Sequence, residues 1–355
     1  MIANIRYKDL ISVLGIFILS FSYMMFRAND LTPLSDEIYF LTESLKVGER
    51  RWFFASFVQL FDDFEKSLII VFIINSLLLI PIYFFLVRLN EGNSIITFFQ
   101  MFYLATIASY ILRDIFVFFF LLWALRLILD YSKSKHRHLS FFMLGAIFFI
   151  LSISKLQYVF FLFVAILVAF MAERAPKKLA IICISIACLF FFTNYWISLL
   201  NVTSIYSISM MEFINLRFER YGNELSLGSF VIVVLKHIFG PIPSSLLERF
   251  LDPDISHTMI DVDDVYRFIY RSSVYFCYFY IIFNIRLASK YIKNNRFFIF
   301  LISTISVLNI LTYAIFTGGG GHERSKLVSV LIIFTITSGT MALKKNMFRS
   351  KVYKT

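Results

Sequence analysis

Apolar residues in this chain come in long blocks separated by short polar punctuation. Ten blocks stand out, at roughly 10–26, 67–87, 95–112, 115–129, 140–154, 156–172, 179–200, 270–285, 298–316 and 327–343, each about the length a helix needs to cross a hydrocarbon core of roughly 30 Å. Backbone amides find no water in that core, so each block is expected to be a helix. The expected fold class is all-α: a polytopic integral membrane protein of about ten transmembrane helices, forming a single transmembrane domain over residues 1–355.

Two polar stretches are long, residues 27–66 and 201–269. The second contains an apolar run from Leu227 to Phe239, interrupted by Lys236 and His237 and closed by Gly240-Pro241-Ile242-Pro243. A re-entrant or interfacial amphipathic helix at 227–239 fits it better than a span. Counting it would give eleven spans and reverse the charge bias of everything after it. In the first stretch, residues 38–47 are expected to form a short amphipathic helix with Ser35 as its cap. Trp52, Phe53, Phe54 and Phe57 then read as an aromatic helix at the headgroups. The first apolar run follows Arg6 and Lys8 as a signal peptide would. However, Phe26-Arg27-Ala28-Asn29 offers no small-x-small cleavage site, and a retained first helix is expected.

Composition supports the membrane reading. Of 355 residues 59% are hydrophobic and only 16% charged, where a soluble domain carries about 25% charge; mean hydropathy is +0.78. A net charge of +11 would suit a nucleic-acid binder, but its distribution points elsewhere. Alternating from a cytoplasmic N-terminus, one side holds 19 Lys/Arg and 4 Asp/Glu and the other 15 and 19. The excess lies in the short segments 130–139, 173–178 and 286–297 and in the tail from Lys344, the positive-inside pattern. Both termini are therefore expected in the cytoplasm, with the acidic loops outside and no nucleic-acid partner. Cys183, Cys188 and Cys277 sit in apolar segments without metal or redox spacing, and are read as packing residues.

Several outward ends carry chemistry-capable groups. Span 4 starts after Arg113-Asp114, span 6 at Lys155 with Gln157 in its first turn, and span 10 after His322-Glu323-Arg324-Ser325-Lys326. Helix N-termini favour anions, and a cation at each makes an outward-facing phosphate site a reasonable expectation. Span 5 is short, so Lys155 is expected to lie recessed below the headgroups, where ionisable residues are functional candidates; snorkelling to the interface is the alternative. Gly318 to Gly321, ahead of His322, suits a loop that approaches a ligand closely. Asp36-Glu37 is the general-base candidate: sugar transfer needs a carboxylate to take the acceptor's proton, while cations hold the charge developing on a phosphate leaving group. Either acid could instead orient a divalent cation, and His322 is an alternative proton acceptor. Lys236 and His237 either face the same cavity or mark the polar side of a surface helix. Asp252, Asp254, Asp261, Asp263 and Asp264 match no cation-loop spacing and read as a solvated acidic loop. No metal ligand set is assigned.

Acidic pair and tyrosine in the first outward loop (Asp36, Glu37, Tyr39) resemble the glycosyltransferase C superfamily of polyprenyl-linked sugar transferases. More narrowly, the chain is similar to bacterial O-antigen and repeat-unit polymerases, in Leu112-Arg113-Asp114-Ile115, Lys155 opening span 6, Gly240-Pro241-Ile242-Pro243 and Gly321-His322-Glu323-Arg324. Lys155 stands where that pattern has arginine, so bidentate phosphate contact is lost there. The resemblance implies a glycosyltransferase C-like enzyme of the bacterial cytoplasmic membrane. It would polymerise undecaprenyl-diphosphate-linked oligosaccharides for O-antigen, capsule or exopolysaccharide. Arg113, Lys155, Gln157, Arg324, Lys326, Lys236 and His237 would surround the carrier's phosphates. Membrane lipid, a chain-length regulator and a flippase are the implied partners. Rival readings are a single-sugar transferase with a polyprenyl-phosphate donor, a flippase for lipid-linked oligosaccharide, and a membrane acyltransferase served by the loop holding Lys133, Lys135, His136 and His138. A transporter commonly carries related halves or matched broken helices, and no internal repeat is visible.

Overall fold

The computed structural model describes residues 6–28, 41–42, 52–61, 63–131, 137–174, 212, 216, 219, 227–239, 259–317 and 323–352. It is all-helical, 92% helix with no strand among the described residues. The helices are α1 (Tyr7–Ala28), α2 (Trp52–Val58), α3 (Phe64–Leu89), α4 (Ser94–Ile107), α5 (Asp114–Tyr131), α6 (Arg137–Lys155), α7 (Gln157–Arg174), α8 (Leu227–Phe239), α9 (Met259–Phe283), α10 (Ile285–Asn294), α11 (Arg296–Thr317), α12 (Glu323–Ser329) and α13 (Leu331–Val352). Among the described residues, six stretches are long and apolar enough to cross a membrane: Tyr7–Met25, Phe64–Leu89, His138–Lys155, Gln157–Arg174, Arg296–Tyr313 and Lys326–Phe348. Several such helices in one chain make this a membrane-embedded protein.

The other expected spans differ for identifiable reasons. The run at 95–112 becomes α4, which ends at Ile107 and at 1.5 Å per residue reaches only about 21 Å. The run at 115–129 becomes α5, whose ends carry Asp114, Arg126 and Asp130. The run at 270–285 belongs to the longer α9, which starts at Met259; Asp261, Asp263 and Asp264 therefore open a helix instead of lying in a loop. The run at 179–200 and the segment 43–51 fall outside the described residues.

The chain divides into two compact units, one of Met1–Val159, Ile242–Tyr291 and Ile333–Thr355, the other of Phe160–Pro241 and Ile292–Ile332. In the first unit α4 is central, packed by α1, α3 and α9. Eleven of its fourteen residues are buried, as expected of a helix apolar on every side. A tight turn delivers the chain from α3 into it. Glu91 and Gly92 take φ of 50° and 76°, Asn90 donates to Thr97 Oγ1 (3.0 Å) and Gln100 Oε1 (2.9 Å), and Asn93 caps α4 by accepting from the Ile96 amide. The start of α1 is fastened to this turn. Buried Asp9 accepts from Ser94 Oγ at 2.6 Å, Tyr83 at 3.3 Å and Arg6 Nε at 3.1 Å, and Arg6 donates onward to the Gly92 carbonyl. A carboxylate at that depth is tolerable because every partner is a donor.

Tyr291 of α10 completes this end of the unit. Its hydroxyl donates to Glu91 Oε1 at 2.9 Å. Burial, then the adjacent carboxylate, push the phenol far above its ordinary range, so it remains a donor. Its ring lies flat on Gly339 of α13, where an added Cβ would stand 2.1 Å from Tyr291 Cζ. In the second unit α11 packs against α8 and α12. The chain is interrupted at Val330, between α12 and α13.

Gly339→Ala should therefore force Tyr291 off its seat and lower stability by about 1–3 kcal/mol, the usual cost of overpacking. Gly145→Ala meets nothing within 4 Å and should be neutral or gain up to about 1 kcal/mol from helix propensity. Thermal unfolding in detergent reads both; equal shifts would show that the Tyr291 contact is not a constraint.

Candidate functional site

The end of the first unit opposite the Asp9 cluster is built around a stretch of non-helical backbone. After α4 stops at Ile107, residues 108–113 run unwound to the start of α5, and Ala108, Ser109, Ile111, Leu112 and Arg113 are all buried. Irregular backbone at this depth persists only where protein groups satisfy it. Asn75 of α3 donates to the carbonyls of Ala108 (3.3 Å) and Tyr110 (3.5 Å). Arg27, 1% exposed at the end of α1, donates to the Ser109 carbonyl and lies 4.1 Å over the Tyr110 ring. Tyr110 shares a 2.6 Å hydroxyl–hydroxyl bond with Tyr23. Tyr266 of α9 packs edge-on against Tyr23 and donates to the Leu19 carbonyl.

Arg113, at the end of this stretch and 5% exposed, donates to the Ser154 carbonyl at the close of α6. It thereby joins the α4–α5 break to the α6–α7 junction. There α6 ends at Lys155, Leu156 turns, and Gln157 begins α7. The expectation that Lys155 opens a helix is corrected: it closes one, where its charge complements the carbonyl end. Lys155 Nζ lies 3.5 Å from Asp114 Oδ1, with its side chain 10% exposed, and 5.4 Å from the Tyr158 ring. Its side chain is therefore largely buried within the protein. Two polar atoms at the junction, Ser154 Oγ and Gln157 Nε2, are buried with no hydrogen-bond partner among the described residues. Hydroxyl and amide donors beside a guanidinium and an ammonium form a set suited to anionic oxygen.

The remaining expected residues are distributed differently. Asp36, Glu37 and His322 lie outside the described residues, as do Asp252 and Asp254. Arg324 is the second residue of α12, not a loop residue ahead of a helix, and Lys326 on the same helix is 1% exposed. Both belong to the second unit, together with Lys236 and His237. These last two do not act as a pair. Lys236 is exposed, whereas His237 is buried, its Nε2 3.3 Å from Ser329 Oγ and its ring stacked on Tyr313. Asn309 of α11 donates to the same Ser329 Oγ at 2.8 Å. An amide seated on the serine oxygen opposes nucleophilic use of it, and the trio instead links α8, α11 and α12 beside the interruption at Val330. Among the described residues no three His, Cys, Asp or Glu converge as a metal site.

Sequence reading missed Arg27 and Arg271. Arg271 of α9 is fully buried; it sits inside a run taken as a span, and a charge there is itself a functional signal. Arg27 was visible only as the residue closing the first apolar run. Comparison with protein-family models, with curated proteins and with solved structures finds no match.

Asn75→Leu should cost about 1–3 kcal/mol by leaving two buried carbonyls without their side-chain donor. A lowered melting temperature in detergent is expected; an unchanged one would show that the connector does not depend on Asn75.

Proposed function

We propose that this protein is a membrane glycosyltransferase that polymerises undecaprenyl-diphosphate-linked oligosaccharide repeat units, acting on the outer face of a bacterial cytoplasmic membrane through about ten spans. The observation that carries the reading is the α6–α7 junction. Arg113, Lys155, the Ser154 hydroxyl and the Gln157 amide gather there, and the last two have no partner among the described residues to justify their burial. An unsatisfied buried donor costs about 1–3 kcal/mol, so its retention at a recessed, cationic spot favours a ligand with anionic oxygens. A lipid diphosphate brings such oxygens to that depth on an apolar tail. The leaving group's charge would develop there, held by Arg113 and Lys155, with Asp36, Glu37 or His322 supplying the base. Asp114 beside Lys155 keeps that cation in place when no ligand is bound.

A purely structural junction and a ligand site separate under substitution. Gln157→Leu and Ser154→Ala remove donors that meet no acceptor among the described residues, so melting temperature should hold or rise. If the junction grips the carrier, the same variants should shorten or abolish the surface-polysaccharide ladder when expressed in a strain lacking the gene. Loss of the ladder to single repeat units indicates a polymerase. Complete loss, with cytoplasmic accumulation of lipid-linked units, indicates a flippase. Wild-type ladders from both variants would remove the phosphate-site reading.

A further inference from the structure

At the N-terminal end of the first unit, α10 leaves the end of α9 at Asn284 as a short helix with two unlike faces. One face is docked: Ala288 and Tyr291 are buried, Tyr291 is bonded to Glu91, and its ring fills the space above Gly339. The opposite face carries Arg286, Lys290 and Lys293, all exposed. At 3.6 residues per turn these three fall within about 60° of one another, on the side away from Ala288. Lys344 of α13 donates to Asn284 Oδ1 at 3.4 Å, setting another exposed cation at the foot of the helix. Flanking the cations are large apolar side chains without cover: Ile282 is 63% exposed, Phe283 83% and Ile285 61%.

We infer that α10 is a docked strut whose cationic face binds the headgroups of anionic phospholipids in the leaflet at this end of the protein. Charge complementarity names the headgroup, and the neighbouring Ile282, Phe283 and Ile285 name the source. Those side chains require acyl chains beside the cations, which a soluble phosphate does not supply. An amphipathic helix with basic residues on its polar side and large apolar ones beside it is the pattern of an interfacial element. Docking through Tyr291 removes most of the ordering cost that a free amphipathic segment would meet on binding. The inference is independent of the proposed enzymatic activity, since it uses none of the groups at the α6–α7 junction.

The test is native mass spectrometry of the full-length protein in maltoside detergent, titrated with phosphatidylglycerol or phosphatidylcholine. Basic residues near a surface each add appreciably to anionic-lipid binding, so the wild type should retain phosphatidylglycerol at least about tenfold better, with the preference shrinking as salt rises. The triple variant Arg286→Gln, Lys290→Gln, Lys293→Gln should fall to within about twofold of parity. A control with charge loss elsewhere, Lys66→Gln with Arg174→Gln, should keep the wild-type preference. Inorganic phosphate at tenfold excess over lipid should not displace the bound lipid. No preference in the wild type, a preference surviving in the triple variant, equal loss in the control, or displacement by inorganic phosphate would each overturn the inference.

Discussion

A stretch of backbone without helix, buried where water cannot reach it, is the constraint on which the first unit depends. Residues 108–113 expose carbonyls that α4 would have satisfied had it continued. Asn75 and Arg27 supply the missing donors, and both are buried at some electrostatic cost in doing so. Fixing that stretch fixes Arg113, and through the Ser154 carbonyl it also fixes where α6 must end. The candidate site is thus a by-product of satisfying a break: two interruptions are held against each other, and the polar atoms left over at their contact are the ones available to a ligand.

The same logic makes the two ends of the unit different in kind. Around Asp9 the donors of Ser94, Tyr83 and Arg6 find their acceptors in the protein, and the turn at Glu91 and Gly92 is held from α1, α3 and α10. Those bonds close the turn, and the basic side of α10 faces outward. At the opposite end Ser154 Oγ and Gln157 Nε2 are buried and unmatched among the described residues, beside Arg113 and Lys155.

Much of the helical layout was legible in the sequence because hydrocarbon imposes its length on every spanning block. Runs at 67–87, 140–154 and 298–316 sit inside observed helices that extend two or more residues further at one or both ends. Polar residues inside apolar runs were harder to place. The run at 95–112 gives no sign that the helix stops at Ile107, because Ala108, Ile111 and Leu112 are as apolar as a helix would require; only the tertiary partners Asn75 and Arg27 reveal the break. Lys155 was found from its isolation between apolar runs, yet its side of the junction was misread, since one residue, Leu156, separates the end of α6 from the start of α7. Arg271 carried an equally clear signal and was passed over as part of a span.

Recognition of phosphate on a lipid carrier at the α6–α7 junction is the proposal on which the functional reading rests. Its most direct test is the equilibrium affinity of the purified protein in nanodiscs for undecaprenyl diphosphate and for undecaprenol, which share a tail and differ only in the charged group. Hydrogen bonds to charged groups are worth about 1.5–3 kcal/mol each, so the diphosphate should bind about a hundredfold more tightly, with most of that margin lost in Gln157→Leu. Equal affinity for the two lipids, or a margin untouched by Gln157→Leu, would contradict the account.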